Sequence, residues 1–335
     1  MTPNARFTEL LQDIEPSPTT VTRAIRAHTA MRDFLYYHET FKKFHISTFL
    51  SGSYKRDTAI RPRLKNGDLE RPDVDIIVVT NYTTADCPKK VVDQLYDAIA
   101  DGYEQIRPQD RSVGVSTGYA DMDVVPIIKD YSSGGFLIPD RTLVEWLPTN
   151  PPMHTAWTTQ INDAAGGRFK PLVKLMKWWR RHNQEVKRYP ERHPKGFVIE
   201  CITAECMDYQ ETHYGKLFVK TLENIVTRYQ PYLSWGRVPM IADPGVPGNS
   251  VASGISYEDF QKYVNLAQEH AAQGRLALQE EDPEEMTKLW RDIFGLRFPA
   301  TKILKSTDLL GNAVSVKPLF FPNRPVQPNK PAGFA

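Results

Sequence analysis

Two aspartates one residue apart introduce an apolar run of the chain, Asp73-Val74-Asp75-Ile76. In an extended strand alternate side chains share a face, so Asp73 and Asp75 point the same way while Val74 and Ile76 point into a core. Two carboxylates this close repel each other unless one is protonated or a cation bridges them. Oxygen ligands favour Mg²⁺, which commonly binds one or two carboxylates together with substrate phosphates. The pair therefore indicates a metal site that acts on phosphates.

A second acidic pair, Asp121-Met122-Asp123, also introduces an apolar run and supplies a third carboxylate. Carboxylates on adjacent strands are the usual means of holding two metal ions for an in-line displacement at phosphorus. A lone Asp-x-Asp pair is a weak signal, since about one is expected by chance in a chain of this length and most mark a solvated strand end. Here acidic residues begin two predicted strands, and a Gly-Ser turn precedes both of them in the chain. This context favours a metal site over two solvated strand ends.

The Gly-Ser turn is Gly52-Ser53, which follows a strand predicted over 45–50. Glycine lets the backbone approach a phosphate closely, and exposed N–H groups with a serine hydroxyl can bind its oxygens. Alone, the dipeptide is a generic turn. Its position between a strand and the acidic pair is what gives it weight.

A basic helix is predicted over residues 168–182. Its cations fall on one helical face and its apolar residues on the other. Like charges on one face repel each other, which favours an anionic partner, although a solvated stripe over a core face is the ordinary interpretation of such a helix. The cations of this face are Lys170, Lys174, Lys177 and Arg181.

Together these motifs resemble the active-site signature of template-independent nucleotidyltransferases. The matching segments are the run from Gly52 to Arg61, then Asp73-Val74-Asp75, then Asp123-Val124-Val125-Pro126. They are most similar to the branch that contains oligoadenylate synthase, cyclic GMP–AMP synthase and the bacterial cGAS/DncV-like nucleotidyltransferases (CD-NTases). The resemblance implies an α/β, bilobed polymerase-beta-like nucleotidyltransferase fold, with a small mixed sheet and helices followed by a mainly helical second lobe.

The resemblance also assigns roles to the acidic residues and the turn. Asp73, Asp75 and Asp123 become both the catalytic and the metal-binding residues, holding two Mg²⁺ ions for which Mn²⁺ is expected to substitute. Asp121 inherits no role. Gly52 and Ser53 become ligands of the donor triphosphate.

Four more residues are assigned to nucleotide binding by the resemblance. Lys177 is the first choice for a phosphate contact and Lys174 the second, because the family presents lysine from this helix to the triphosphate. Arg56 lies in the matching loop segment. Phe197 either stacks on the donor nucleotide or is a core residue, and Gly196 stands where the family usually has a polar side chain.

Three other segments bear on the comparison with the family. The insertion from Pro62 to Pro72 is longer than in the animal enzymes, and a surface loop near the donor site is expected there. Residues 239–251 resemble the "D-P-x-x-P-x-N" loop of oligoadenylate synthases, which we interpret as a fold marker. Residues 146–154 resemble the bacterial members more than the animal ones.

The implied activity is Mg²⁺-dependent synthesis of a cyclic di- or trinucleotide second messenger from ATP, with GTP as a further candidate substrate and pyrophosphate as the by-product. The family setting is bacterial anti-phage (CBASS) signalling, in which the product acts on a separate downstream effector. Two alternatives stay open: a linear oligoadenylate synthase or a transferase acting on RNA or protein, and a catalytically silent nucleotide-binding protein.

The elements that must position these residues divide the chain into four parts. Four strands are predicted over 45–50, 74–80, 111–116 and 122–128, and helices over 19–42, 88–102, 168–182, 196–210, 214–230, 256–273 and 284–294. Residues 134–152 are predicted as a connection and 235–255 as a long loop. The predicted parts are a helical segment spanning the lobes (1–45), the catalytic core (46–150), a helical lobe (151–317) and an extended Pro-rich tail (318–335).

Composition excludes several classes of protein. The 335 residues include 41% hydrophobic ones, enough for a core, and no apolar run approaches the roughly 20 residues of a membrane span. Three cysteines are too few for a disulfide framework, so a cytoplasmic location is expected. The formal charge of +2 argues against binding long nucleic acid. His154, His182 and His193 lack metal-ligand spacing and are expected in exposed polar roles.

The C-terminal tail carries the last part of a proline excess of 26 residues. It ends Ala332-Gly333-Phe334-Ala335, which resembles the C-termini of bacterial relatives that ubiquitin-like machinery conjugates to targets. A frayed terminus is the simpler interpretation.

Overall fold

The strands and helices place the acidic motifs near the middle of a mixed sheet. The computed structural model describes residues 2–300 apart from 66–67, 187 and 189–193. The predictions for the tail and for His193 lie outside the described residues. The strands are β1 (His45–Leu50), β2 (Leu64–Lys65), β3 (Asp68–Leu69), β4 (Asp73–Thr80), β5 (Ile106–Pro108), β6 (Val113–Ser116), β7 (Asp121–Lys129), β8 (Phe136–Asp140) and β9 (Glu145–Thr149).

The helices are concentrated in the second half of the chain. They are α1 (Asn4–Ile14), α2 (Pro18–Tyr37), α3 (Gly52–Arg56), α4 (Pro88–Ala100), α5 (Pro151–Ala164), α6 (Phe169–Glu185), α7 (Gly196–Cys206), α8 (Tyr214–Ser234), α9 (Tyr257–Gln279) and α10 (Pro283–Phe294), with a short 3₁₀ helix at Phe41–Lys43. Among the described residues, none of these helices combines the length and the apolar character that crossing a bilayer would require.

The seven-stranded sheet has the strand order β1-β4-β7-β6-β5, and β8 and β9 extend it from β7. β4 and β7 are parallel neighbours, whereas β1 and β6 lie antiparallel beside them. In the β4–β7 register Asp73 lies opposite Asp121 and Asp75 opposite Asp123. The topology thus brings two distant Asp-x-Asp pairs together. We call the resulting group of four carboxylates, Asp73, Asp75, Asp121 and Asp123, the acidic block.

The two faces of β4 have different surroundings. Val74, Ile76 and Val78 are buried in a core that α2 and α4 complete. Ile77 and Val79 belong to a smaller cluster on the opposite face, together with Ile127 of β7. Because side chains alternate along a strand, Asp73 and Asp75 begin the row that Ile77 continues. The apolar core of the sheet therefore fixes the position and the orientation of Asp73 and Asp75.

The helical lobe has its own core, built from α1 and α6 to α10. Its largest buried side chains include Trp179 of α6, Phe218 of α8 and Trp290 of α10. The apolar face of the basic helix is the α6 contribution to this core, as its periodicity predicts. The sheet and the helical lobe meet at α3, which contacts both β4 and α5.

The N-terminal helices pack on different layers. Phe7, Leu10 and Ile14 of α1 are buried in the core of the helical lobe, while Ala24 and Met31 of α2 are buried against the sheet. The helical segment predicted over 1–45 contained a single helix from residue 19 onward, so α1 was missed. The prediction also extended α2 to residue 42, whereas the helix ends at Tyr37 and the 3₁₀ turn follows.

One prediction for the middle of the chain was wrong. Residues predicted as a connection form the β8–β9 hairpin and the start of α5. Pro148 lies on β9, which pairs with β8 alone among the described residues, and an edge strand tolerates a residue without an N–H. Pro151 and Pro152 open α5 behind the N-cap Asn150, whose side chain accepts from the Met153 N–H. The insertion predicted as a surface loop contains the β2–β3 hairpin.

Candidate active site

The acidic block combines three of the predicted site residues. Asp75 and Asp123 are half-buried cross-strand neighbours, and Asp73 stands at the exposed start of the same row. Partial burial of its carboxyl and the charges of Asp75 and Asp123 raise the pKa of Asp73 to about 7. Burial and the charge of Asp123 raise the pKa of Asp75 to about 6, against the opposing charges of Arg56 and Lys177. Burial also raises the pKa of Asp123. The carboxylates resist joint ionisation, which is the situation that a bound cation relieves.

Gly52 is required by its contact with this block. Its φ is +65°, and a Cβ placed on it would lie 1.6 Å from Asp75 Oδ2. The backbone N–H of Ser51 also donates to the Asp75 carbonyl at 2.9 Å. Any side chain at position 52 would displace the Asp75 carboxylate, so the turn and the acidic strand are fitted to each other.

Ser53 lies in the first turn of α3, directly after Gly52. Its carbonyl accepts from the Thr58 N–H at 2.9 Å, which closes the short helix. Among the described residues, none forms a hydrogen bond with the Ser53 hydroxyl. Asp57, in the left-handed conformation, ends the helix. The Gly-Ser segment is thus a tight strand–helix turn beside the carboxylates.

Arg56, at the end of α3, is anchored in the helical lobe. Its guanidinium makes a two-pronged contact with Glu200 of α7, with Nε donating to Oε2 at 2.9 Å and Nη2 to Oε1 at 3.1 Å. Thr58 Oγ1 donates to the same carboxylate. Glu200 is 0% exposed. Burial alone would raise its pKa, but Lys177 and Arg56 hold the pKa of Glu200 at about 2.

Lys177 completes this buried network. Its ammonium donates to Glu200 Oε1 at 2.8 Å and to the carbonyl and hydroxyl of Thr58, both at 3.1 Å. An ammonium group has three donors, and all three are used within the protein. Lys174 is also buried and ion-paired, with Glu15 at 2.8 Å and Asp57 at 3.1 Å. Both lysines therefore contact the residues that follow the Gly-Ser segment, Asp57 and Thr58, and their assignment to phosphate contacts stays a prediction.

Phe197 lies at the N-terminal turn of α7, half-buried at the junction of the lobes. The Arg56 guanidinium sits 4.8 Å from its ring centroid, and the His154 ring lies at 4.6 Å. One face of the ring is therefore paired with a cation. Stacking of Phe197 on a nucleobase stays a prediction.

His154 differs from the exposed polar role expected for it. It is half-buried on α5, and its Nε2 lies 2.7 Å from Oδ1 of Asp243. Asp243 belongs to the loop interpreted as a fold marker, where its carboxylate also accepts from the Gly245 N–H. This contact connects the loop to the start of the helical lobe. The two residues are 89 positions apart in the chain, so no local sequence pattern could predict their contact.

The neighbours of Asp123 were missed by sequence reasoning. Gln109 Nε2 donates to Asp123 Oδ1 at 2.7 Å, which orients the carboxylate. Asp121 instead accepts from the Ser116 hydroxyl at 2.8 Å and pairs with Arg71 at 3.3 Å. Glu200 was missed too, although a charged residue inside the apolar run Phe-Val-Ile-Glu-Cys-Ile is a recognisable signal of a buried ion pair.

The donor set of the acidic block suits a hard divalent cation. Within the described ranges no three His, Cys, Asp or Glu side chains converge on a ready-made metal cage. Mg²⁺ does not require one, because it usually takes one or two carboxylates and completes its shell with water and substrate phosphates. Asp73, Asp75 and Asp123 offer oxygen ligands only, with mutual repulsion that a cation would offset, so these residues fit such an ion.

Comparison with known proteins agrees with the acidic signature. The Second Messenger Oligonucleotide or Dinucleotide Synthetase (SMODS) domain matches residues 1–162. A cyclic AMP-AMP-AMP synthase from Acinetobacter sp. is 49% identical over 343 residues, covering 100% of this chain and 98% of its own. A probable cyclic AMP-AMP-GMP nucleotide synthase from Salmonella paratyphi B is 28% identical, covering 99% of each chain.

The solved structures show the same fold. The Bradyrhizobium diazoefficiens CD-NTase CdnG, in complex with GTP, aligns with a TM-score of 0.73 at 14% sequence identity, over 89% of this chain and 96% of that one. At this identity the likeness concerns the fold alone. Identity to the Acinetobacter synthase extends along the whole chain and is far higher. The chain therefore belongs to the family of second-messenger oligonucleotide and dinucleotide synthetases, the cGAS/DncV-like nucleotidyltransferases.

Proposed function

We propose that this chain joins three molecules of ATP into a cyclic trinucleotide and releases pyrophosphate at each step. The observation that supports it best is the cross-strand pair Asp75–Asp123, set directly against the Gly52 turn. The adenine-only product is taken from the relative that is 49% identical and is a cyclic AMP-AMP-AMP synthase. The biological setting we propose is the anti-phage signalling of the family.

Asp73, Asp75 and Asp123 would hold two Mg²⁺ ions, with Mn²⁺ as a substitute. When bound, such ions neutralise phosphate charge and make a ribose hydroxyl a better nucleophile. Each transfer forms a bond from an acceptor ribose oxygen to the donor α-phosphorus and breaks the α–β phosphoanhydride bond. The hydroxyl gives up its proton, and pyrophosphate leaves.

The chain's own residues orient these reactants. Gly52 and Ser53 would bind the donor phosphates through backbone N–H groups and a hydroxyl. Asp123, whose carboxylate accepts from Gln109, would face the attacking hydroxyl. Arg56, Lys174 and Lys177 stabilise the end of α3 and the residues that follow it through their ion pairs and hydrogen bonds, and the charges of Arg56 and Lys177 act on Asp75. Phe197 is the proposed contact of the donor base.

The main experiment is product analysis with purified protein, Mg²⁺ and each NTP. We expect ATP alone to give a phosphatase-resistant cyclic triadenylate by mass spectrometry, because the product carries no terminal phosphate. A ladder of phosphatase-sensitive products would identify a linear synthase, and label on RNA or protein a macromolecular transferase. Binding of ATP without any product would identify a silent nucleotide-binding protein. A product that requires GTP would contradict the adenine-only assignment.

Asp123 and Asp121 lie on the same face of β7 and give a matched pair of variants, one for the site and one as its control. Asp123→Asn should lower the rate of pyrophosphate release by at least about a thousandfold, since it removes a ligand charge at the reacting centre. Asp75→Asn should do the same. Asp121→Asn, two residues away on the same face but bonded to Ser116 and Arg71, should retain synthesis. Thermal melting would check that all three variants fold. A near-wild-type rate for Asp75→Asn or Asp123→Asn would contradict the proposal.

The buried network predicts a stability effect separate from catalysis. Lys177→Ala should lower the free energy of unfolding by about 3 kcal/mol, because it leaves the buried Glu200 carboxylate short of a partner. Urea denaturation of the nucleotide-free protein measures this. Lys216→Ala, on an exposed position of α8, is the control and should change stability by less than about 0.5 kcal/mol. Equal stability of the Lys177 variant and the wild type would contradict the anchoring role.

A further inference from the structure

An open groove runs across the sheet from the acidic block. Its volume is about 900 Å³, which is enough for a nucleotide. Asp73 and Asp123 line one side of it. Arg107, Glu104 and Gln105, at or just before β5, line the other side. The carboxylates of Asp73, Asp121 and Asp123 belong to its lining, whereas Gly52 and Ser53 do not.

The strand register aligns one row of residues along the groove floor. Arg107 lies opposite Gly114, Gly114 opposite Asp123, and Asp123 opposite Asp75. Adjacent strands are about 4.8 Å apart, so the Arg107 backbone is roughly 10 Å from that of Asp123. This is close to the distance from a ribose hydroxyl to the far phosphates of the same nucleotide.

Gly114 keeps the middle of this row free of a side chain. A Cβ there would lie 2.9 Å from Arg107 Nε and 2.6 Å from Gln109 Nε2. Glycine inside a strand is unfavourable unless another group needs the space. Here the space is used by Arg107 and by Gln109, the residue that orients Asp123.

Arg107 differs from the other cation in the groove. Arg71 is paired with Asp121, whereas the exposed Arg107 guanidinium makes no hydrogen bond or ion pair with any residue that the structure describes. Its charge is near enough to act on both Asp73 and Asp123. A guanidinium with available donors, facing a groove, suits two-pronged binding of phosphate oxygens.

We propose that Arg107 binds the 5′-phosphates of the acceptor nucleotide. The inference rests on the proposed function: an acceptor ATP presents its hydroxyl at Asp123 and keeps its own triphosphate during the first transfer, so that triphosphate needs a cation away from the donor site. Adenine offers a guanidinium no paired acceptors like N7 and O6 of guanine, so phosphate is the better ligand when the acceptor is ATP.

The test separates donor from acceptor. 2′,3′-Dideoxy-ATP has no hydroxyl to attack with and serves only as donor, while α,β-methylene-ATP cannot release pyrophosphate and serves only as acceptor. Formation of the single bond between them gives a KM for each. Arg107→Ala should raise the acceptor KM roughly ten- to a hundredfold and leave the donor KM nearly unchanged. Arg107→Lys should recover part of the loss, and Lys129→Ala, an exposed cation at the far end of β7, should behave as wild type.

A second acceptor distinguishes phosphate binding from other roles. Adenosine lacks the phosphates, so the wild type and Arg107→Ala should use it equally well. An equal loss with adenosine and with α,β-methylene-ATP would overturn the inference and assign Arg107 to the base, the sugar or the fold. An unchanged acceptor KM would overturn it too. Failure of the wild type to join the two analogues and to use ATP would instead refute the proposed function itself.

Discussion

This structure depends on the ion pairs of one carboxylate that has no exposure to water, that of Glu200. Glu200 requires positive partners, and it takes two, Arg56 from the sheet side and Lys177 from α6. Removing ions from water is unfavourable unless they are paired and hydrogen-bonded on all sides, a condition that Thr58 completes. Because Arg56 ends the five-residue helix that begins at Gly52, the network fixes the Gly-Ser turn to the helical lobe. Two lobes with separate apolar cores are thereby joined at the point where a nucleotide is expected to bind.

The Gly-Ser turn also lies beside a group of like charges, the three site aspartates, which repel each other. Asp73, Asp75 and Asp123 are concentrated by the β4–β7 register, and burial, with repulsion from neighbouring aspartates as a further cause, raises their pKa values. The sheet core holds them there despite that repulsion, because Val74, Ile76 and Met122 point into it from the same strands. Gly52 links the Glu200 network to the aspartates, and there is no room for a side chain at this position beside Asp75. A site that is unfavourable without cations and satisfied with them is what a metal-dependent phosphoryl transfer requires.

Local patterns predicted the parts of this arrangement that depend on near neighbours in the chain. Strand alternation placed Asp73 and Asp75 on one face, and helical periodicity identified the apolar side of α6. Patterns could not predict contacts set by tertiary packing, such as Glu200 with Arg56, Gln109 with Asp123 or His154 with Asp243. The basic face of α6 shows the limit most clearly. Spacing made Lys174 and Lys177 look like free cations, yet each meets a carboxylate from a distant segment. The β8–β9 hairpin was also missed, because its residues were predicted as a connection, although an edge strand tolerates a proline such as Pro148.

The central claim is that the three aspartates form a cation site completed by nucleotide. Crystals grown with Mn²⁺ and a non-hydrolysable ATP analogue test it directly through the anomalous scattering of manganese. The account predicts two anomalous peaks bounded by Asp73, Asp75 and Asp123, with the analogue's phosphates between them and the Gly52 turn, and no such peaks in crystals of Asp75→Asn. Manganese bound elsewhere, or nucleotide bound without manganese near these carboxylates, would contradict it.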